Sequence, residues 1–389
     1  MLKNILMSLF LCAPIYAVNF DIFLQKAIKN SPYLKSSSLD IDEAKEEASL
    51  LLRYENPTLE LEYADFKPES GSRDNGYRIN YTQPVRLWGI ADDKKTLSEA
   101  TTKRAHIGYA KKKALFIRGL SLLYTQYSQQ KMLLSLGDEE LSIAKKIYDI
   151  SKARYDSGTI SRGVMLKAQI AYEMIEVANE TLQLASIKSY YDLLKFAGMN
   201  EELNLDVDYT FTSAQNYEEL KNLDINILIS EQDIALSEAK VNSNKLEWMN
   251  LFTEYESEPE QDIIRVGLSF PLVIFNQKSQ ERRIANLQAS RSELLVKNEK
   301  TRVEIENTKL QKEYFSLKKL SVQNENILKK ELELLKMFEE GYKISNINLL
   351  ELEDIKNRVI STKESLIKIK TALNQNAINR NYLQGNYNE

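Results

Sequence analysis

The sequence predicts a mostly α-helical chain with a small membrane-embedded β part, built from a duplicated unit of one strand hairpin and one long helical hairpin. Three observations carry that prediction. Strand-like alternation is confined to two short paired segments, and the rest reads as long polar helix with only 12 Gly and 7 Pro in 389 residues. Landmarks also recur at a near-constant spacing: Pro84 and Pro271 lie 187 positions apart, Gly158 and Gly341 183 apart, Gly198 and Gly385 187 apart.

Taken in order, residues 1–17, "MLKNILMSLFLCAPIYA", place Lys3 before an apolar run and end on a small residue, the layout of a signal peptide. Cleavage is expected after Ala17. Leu11, before Cys12, is not small, so lipidation of Cys12 is not expected. Without Cys12 the mature chain has no cysteine, which excludes disulfides and thiolate metal sites. No later run reaches the roughly 18 apolar residues of a spanning helix, so any membrane crossing must be made by strands.

Residues 18–56 carry the helices of the first repeat and 57–88 its strand hairpin. There Leu59, Leu61 and Tyr63 alternate with Glu60 and Glu62; after the loop "KPESGSRDN", Tyr77, Ile79, Tyr81, Val85 and Leu87 alternate with Arg78, Asn80, Thr82 and Arg86. Residues 89–198 form a helical hairpin with its tip near 158. A linker and further helices occupy 199–247, and the second strand hairpin 248–273, where Ile264, Val266, Leu268 and Phe270 alternate with Arg265, Gly267 and Ser269. The second helical hairpin is 274–385, tip near 341. Strands of about 9–11 residues match a tilted membrane crossing. Trp88 closes the second strand and Trp248 opens the third, one end of the sheet for both, as in an interfacial belt. Lipid-facing positions are then Tyr77, Ile79, Tyr81, Val85, Leu87, Ile264, Val266, Leu268 and Phe270, with Arg78, Asn80, Thr82 and Arg86 facing water. Four strands cannot close a barrel in lipid, so these strands require oligomerisation.

From Pro84 to Gly158 and from Pro271 to Gly341 no proline intervenes, giving arms of roughly 100 Å at 1.5 Å per residue. The returning helices are shorter, and those near 33–56 and 224–247 supply the missing length. Along the second arm Ile284, Leu287, Val303, Leu310, Tyr314, Leu317, Leu328, Leu332 and Leu335 form a narrow stripe, interrupted by Asn324, suited to knobs-into-holes packing.

Catalysis finds little support. His106 is the single histidine, the carboxylate pairs Glu139–Glu140 and Glu339–Glu340 lie in sequence charged throughout, and no cofactor or metal motif appears. The net charge of −4 gives no basic excess for nucleic acid. The tips are more specific: Gly158, Thr159, Ile160 and Ser161, and Gly341, Tyr342, Ile344 and Ser345, are alike. Both glycines are expected to cap descending helices, and the two similar hairpin ends offer a docking surface for partner helices.

The segments "YTQPVRLWG", "LSFPLVIFNQ", "ARYDSGTISRGVMLKAQ", "MFEEGYKISNINLLELED" and "LQKAIKNSPYLKSSSLDIDEA" together resemble the TolC family of outer-membrane efflux factors, closest to its heavy-metal-efflux branch of cobalt-zinc-cadmium and copper-silver type. The resemblance covers the whole mature chain. It implies a homotrimer in outer-membrane lipid, with one twelve-stranded barrel continued by a helical barrel in the periplasm of a Gram-negative bacterium. Its partners would be a periplasmic adaptor and an inner-membrane pump, of the RND type or another, in a tripartite efflux or type I secretion system. It also implies a tip aperture at Asn348 and Glu351, with Val164 where better-known members carry an acid. The alternative reading is a periplasmic coiled-coil adaptor or tether without a channel.

Overall fold

Proline and asparagine punctuate the chain. The computed structural model describes residues 18–387 apart from 68, 70, 72, 214–220 and 345. The expected signal peptide and Ser345 lie outside the described residues. The elements are α1 (Phe20–Asn30), α2 (Pro32–Leu52), β1 (Thr58–Phe66), β2 (Asp74–Arg86), α3 (Ile90–Asp156), α4 (Arg162–Ala197), α5 (Leu223–Val241), β3 (Trp248–Glu258), β4 (Gln261–Ser269), α6 (Ser279–Lys343) and α7 (Leu349–Leu383). Asn19 caps α1, its Oδ1 accepting the Ile22 N–H at 3.0 Å. Pro32 opens α2, a position whose N–H has no helical acceptor in any case. With no proline from 85 to 258, α3 runs 67 residues, and the equally proline-free α6 runs 65. The order helix, strand hairpin, long helix, returning helix therefore occurs twice.

Contacts divide the chain into two units. The first comprises 1–35, 113–219 and 303–389. Its core gathers Phe20 and Phe23 of α1, Leu120 and Tyr124 of α3, and Leu193 and Ala197 of α4. Phe20 meets the rings of Tyr124 and Phe211 edge-on, each at 4.8 Å. The extended chain after α4 is stitched to this core. The Val18 N–H donates to Asn204 O at 2.7 Å, and the Tyr124 hydroxyl donates to Asp206 O. From α7, the Asn374 side chain accepts the Phe211 N–H at 3.1 Å and donates to Tyr209 O at 3.2 Å. Buried backbone groups that no helix or strand satisfies thus find side-chain partners.

The second unit comprises 36–112 and 220–302. It contains one antiparallel sheet in the order β1-β2-β3-β4. Around it α5 is linked to α3 by ion pairs such as Lys111–Asp224 at 2.8 Å and Lys103–Asp233 at 3.2 Å. β2 continues through Pro84 and ends at Arg86, two residues before Trp88. β1 pairs with β2 only as far as Thr58↔Thr82, so the donor that proline lacks falls beyond β1. Pro271 does follow the end of its strand, at Ser269.

The stripe read along α6 is partly inward: Val303, Leu310 and Leu335 are buried, whereas Ile284, Leu287 and Leu332 are exposed. α6 carries a further exposed apolar line, with Leu320, Ile327 and Leu334 at heptad spacing. α4 has one of its own: Leu166, Ile170, Met174, Val177, Leu184, Ile187 and Tyr191 are all exposed, at spacings of 3, 4 and 7. Such seams match the geometry of helix-on-helix packing, and a single copy leaves them uncovered.

Candidate functional site: a two-faced sheet and two hairpin tips

Because side chains alternate across a strand, register decides which residues share a face. Pairing Leu61↔Ile79↔Tyr255↔Ile264 and Leu251↔Leu268 puts the apolar side chains of all four strands on one face. That face is bare: Leu61 is 69% exposed, Ile264 75% and Val266 72%. Tyr77, Ile79, Tyr81, Val85, Leu268 and Phe270 are exposed too, and Leu87 is half-buried. The opposite face pairs Glu62↔Arg78↔Glu256 and Glu60↔Asn80↔Glu254↔Arg265. Arg78 bonds Glu62, Arg265 bonds Glu254 and Glu256, and Asn80 donates to Glu60 at 3.1 Å. One ribbon therefore presents a hydrocarbon surface on one side and a hydrated ionic lattice on the other. Among the described residues, the outer edges of β1 and β4 carry no neighbouring strand.

The turn end of the apolar face holds tyrosines that the sequence reading did not single out as a group. Tyr63 donates to Asn75 Oδ1 at 2.6 Å, Tyr255 donates to Asp262 Oδ1 at 3.1 Å, and the rings of Tyr77 and Tyr255 lie 5.9 Å apart. Their signal was present, since each lies within a few residues of a loop and in phase with the apolar alternation.

At the helix end the two tryptophans part company. Trp88 is 92% exposed. Trp248 pairs with Arg86 on the charged face, where the guanidinium sits 4.6 Å over the indole and 5.0 Å over the Tyr54 ring. Arg86 was expected to face open water; instead it is buried. It donates to Leu52 O at 3.1 Å and Arg53 O at 2.7 Å, and its Nε lies 3.4 Å from Glu247, which also pairs with Lys94. Carbonyls at a helix C-terminus lack internal partners, and Arg86 supplies them to α2.

In the first unit the tips differ in construction. Gly158 adopts φ +75°, and the following Thr159 N–H reaches back to Arg154 O at 2.8 Å, closing α3 as expected. Thr159 and Ser161 are exposed and Ile160 is half-buried. Gly341 corrects the expectation of a matching cap. It lies inside α6, and a Cβ there would stand 2.5 Å from Ile347 Cγ1, so the glycine serves close approach rather than a left-handed turn. Tyr342 is buried, its hydroxyl 2.8 Å from Ser151 Oγ, its ring under Arg154 at 4.7 Å and its carbonyl accepting from Arg154 at 3.0 Å. Ile344 is 68% exposed. Asn348 and Glu351 form a reciprocal capping box at the start of α7, both bonds 3.0 Å. Val164 packs against the cluster of Ile147, Tyr342 and Leu352.

Among the described residues, no group of three or more His, Cys, Asp or Glu is placed to hold a metal ion. Among the described residues, no helix is long and apolar enough to cross a membrane either. Residues 23–198 match the model of the outer membrane efflux protein family. No curated protein matches the chain by sequence. Among solved structures, the chain is similar to CusC, described in terms of folding and transmembrane channel formation, with TM-score 0.78 and 14% identity, covering 94% of this chain and 91% of that one. It is also similar to the outer membrane protein VceC from Vibrio cholerae (TM-score 0.77, 12% identity, 94% and 95% covered) and the outer membrane channel CmeC of Campylobacter jejuni (0.75, 14%, 94% and 85%).

Proposed function

Because residues 23–198 match the model of the outer membrane efflux protein family, we propose that the chain is the outer-membrane exit duct of a tripartite efflux pump, passing solute from periplasm to exterior without chemistry. The observation that carries this reading is the sheet: one bare apolar face, one ionic face and two unpaired edges. An open edge in hydrocarbon costs several kcal/mol per unpaired backbone group. Pairing β4 of one copy with β1 of the next removes both edges once three copies close a twelve-stranded ring. Lipid then meets the apolar face, and water fills the ring along the ionic lattice. The exposed seams of α4 and α6 become contacts between copies.

The tips around Gly158 and Gly341 receive the periplasmic adaptor, itself attached to an inner-membrane pump that supplies the energy. Asn348 and Glu351 border the periplasmic aperture, and Trp88 marks the membrane edge. Heavy-metal cations are the cargo suggested by the "YTQPVRLWG" and "LSFPLVIFNQ" forms. The test is direct. Mature protein extracted from outer membranes should migrate as a heat-modifiable trimer and conduct ions across a planar bilayer. Recovery as a water-soluble monomer that conducts nothing overturns the proposal.

A further inference from the structure

Apolar alternation does not stop where β4 stops. Ile264, Val266 and Leu268 lie within the strand, and Phe270, Leu272 and Ile274 continue the same parity beyond its last residue, Ser269. Those three are 54%, 74% and 62% exposed, and the adjoining Phe275 is 97% exposed. The repeat spacing of 187 set by Pro84 and Pro271 places Leu87 opposite Ile274 and Trp88 opposite Phe275. The two aromatic rings are thus equivalents at the handover from strand to helix, and both are almost wholly bare. Trp248, tied to Arg86, is not available for this role. The chain runs extended from Ile264 to about Leu272, roughly 26 Å at 3.3 Å per residue and approaching the thickness of the hydrocarbon layer, and then bends, the Ile274 N–H donating to Leu272 O at 2.9 Å. The strand segment alone, Ile264 to Leu268, falls well short.

Charge follows directly. Arg282 and Arg283 are exposed and Lys278 is half-buried, and none of the three makes an ion pair among the described residues. The equivalent of Glu281 in the first repeat is Lys94, already held by Glu247. An apolar ladder ending in a bare aromatic ring, followed within two helical turns by three free cations, is the pattern that seats acyl chains below anionic headgroups.

We propose that residues 270–283 form a lipid anchor of the second repeat: Leu272, Ile274 and Phe275 enter the periplasmic leaflet, and Lys278, Arg282 and Arg283 take the phosphates of anionic phospholipid. The proposal rests on the outer-membrane reading of the sheet. Its occupant is lipid rather than a second copy of the chain, because the ladder continues the face already assigned to lipid and the cations complement its headgroups.

Cys12, within the expected signal peptide, is the single cysteine of the sequence, so single-cysteine nitroxide labels in the mature protein report cleanly. Full-length mature protein carrying F275C or V266C is reconstituted into phosphatidylcholine vesicles with or without phosphatidylglycerol, and collision with oxygen and with a water-soluble nickel chelate is measured. Both labels should prefer oxygen. The label at 275 should also become less mobile when phosphatidylglycerol is present, an effect lost in R282Q/R283Q. A label at 275 that meets nickel freely, or neither reagent as under a second copy, overturns the anchor while oxygen preference at 266 leaves the duct reading standing. Oxygen preference at 275 with mobility indifferent to phosphatidylglycerol overturns the headgroup assignment. Nickel access at 266 overturns the duct reading and the anchor with it.

Discussion

The Arg86 guanidinium lies 4.6 Å from the ring centre of Trp248 while donating to the Arg53 carbonyl at 2.7 Å. One side chain therefore joins the end of α2, the last pair of β2 with β3, and Glu247. Replacing it by methionine removes the charge but keeps the stem, leaving helix carbonyls unpaired. Hydrogen bonds to charged groups contribute about 1.5–3 kcal/mol, and the variant should lose roughly that in urea unfolding. Arg86→Lys should recover only part, because a point charge cannot serve two carbonyls and two rings together.

The two faces of the sheet should respond oppositely to charge. Ile79→Arg or Leu268→Arg should cost about 2–4 kcal/mol of assembly near the middle of the membrane. Thr82→Arg, on the ionic face, should be tolerated. Heat-modifiable trimer recovered from membranes measures both, and equal behaviour of the two faces would contradict the assignment.

Gly341→Ala should destabilise by about 1–3 kcal/mol, as overpacking does. Ile347 Cγ1 is the atom in the way. The double variant Gly341→Ala/Ile347→Ala should therefore lose less than the sum of the two single changes in thermal melting. Gly158→Ala, where a Cβ would meet nothing within 4 Å, should be insensitive to any neighbour and reflect its positive φ alone, about 1–2 kcal/mol.

Asn348 and Glu351 allow capping and ion passage to be separated. Asn348→Ala should cost about 0.5–2 kcal/mol of helix stability. Glu351→Gln keeps an acceptor for the cap and should leave melting nearly unchanged. If Glu351 borders the aperture, the same substitution should reduce cation preference in bilayer recordings; an unchanged preference confines the residue to its cap.

Burial, aided by the Asp21 carboxylate, pushes the Tyr209 hydroxyl up to about 12, and burial does the same for Tyr387. Tyr124 moves in the same direction, burial again the main cause. A raised folded value favours the neutral phenol. The associated stability is therefore complete below the unfolded value of about 10 and is lost as pH climbs from there towards 12. Ultraviolet titration should show late-ionising tyrosines whose appearance coincides with unfolding of the first unit, and Tyr209→Phe should shift that transition to higher pH.

Much of this architecture was legible because its signals are local or periodic. The alternation through Tyr77–Val85 and Ile264–Leu268 identified the strands and their apolar face, and the absence of proline announced α3 and α6. Arg86 was misread because its partners, the carbonyls of Leu52 and Arg53, lie more than thirty residues earlier, and no periodicity reports such a contact. Gly341 was misread for a related reason: glycine marks both left-handed turns and close approach, and only Ile347 in place tells them apart. The outward seam of α4 was overlooked because helical spacing shows that a stripe exists, not whether its own chain covers it.

The bare edges of β1 and β4 bear on inheritance as well as architecture. If the ring closes only when every member offers a sound edge, one crippled copy spoils the two healthy ones beside it. A cell making crippled and healthy chains in equal amounts would then keep about one complete ring in eight, so edge mutations should behave as dominant poisons while mutations that merely prevent synthesis stay recessive.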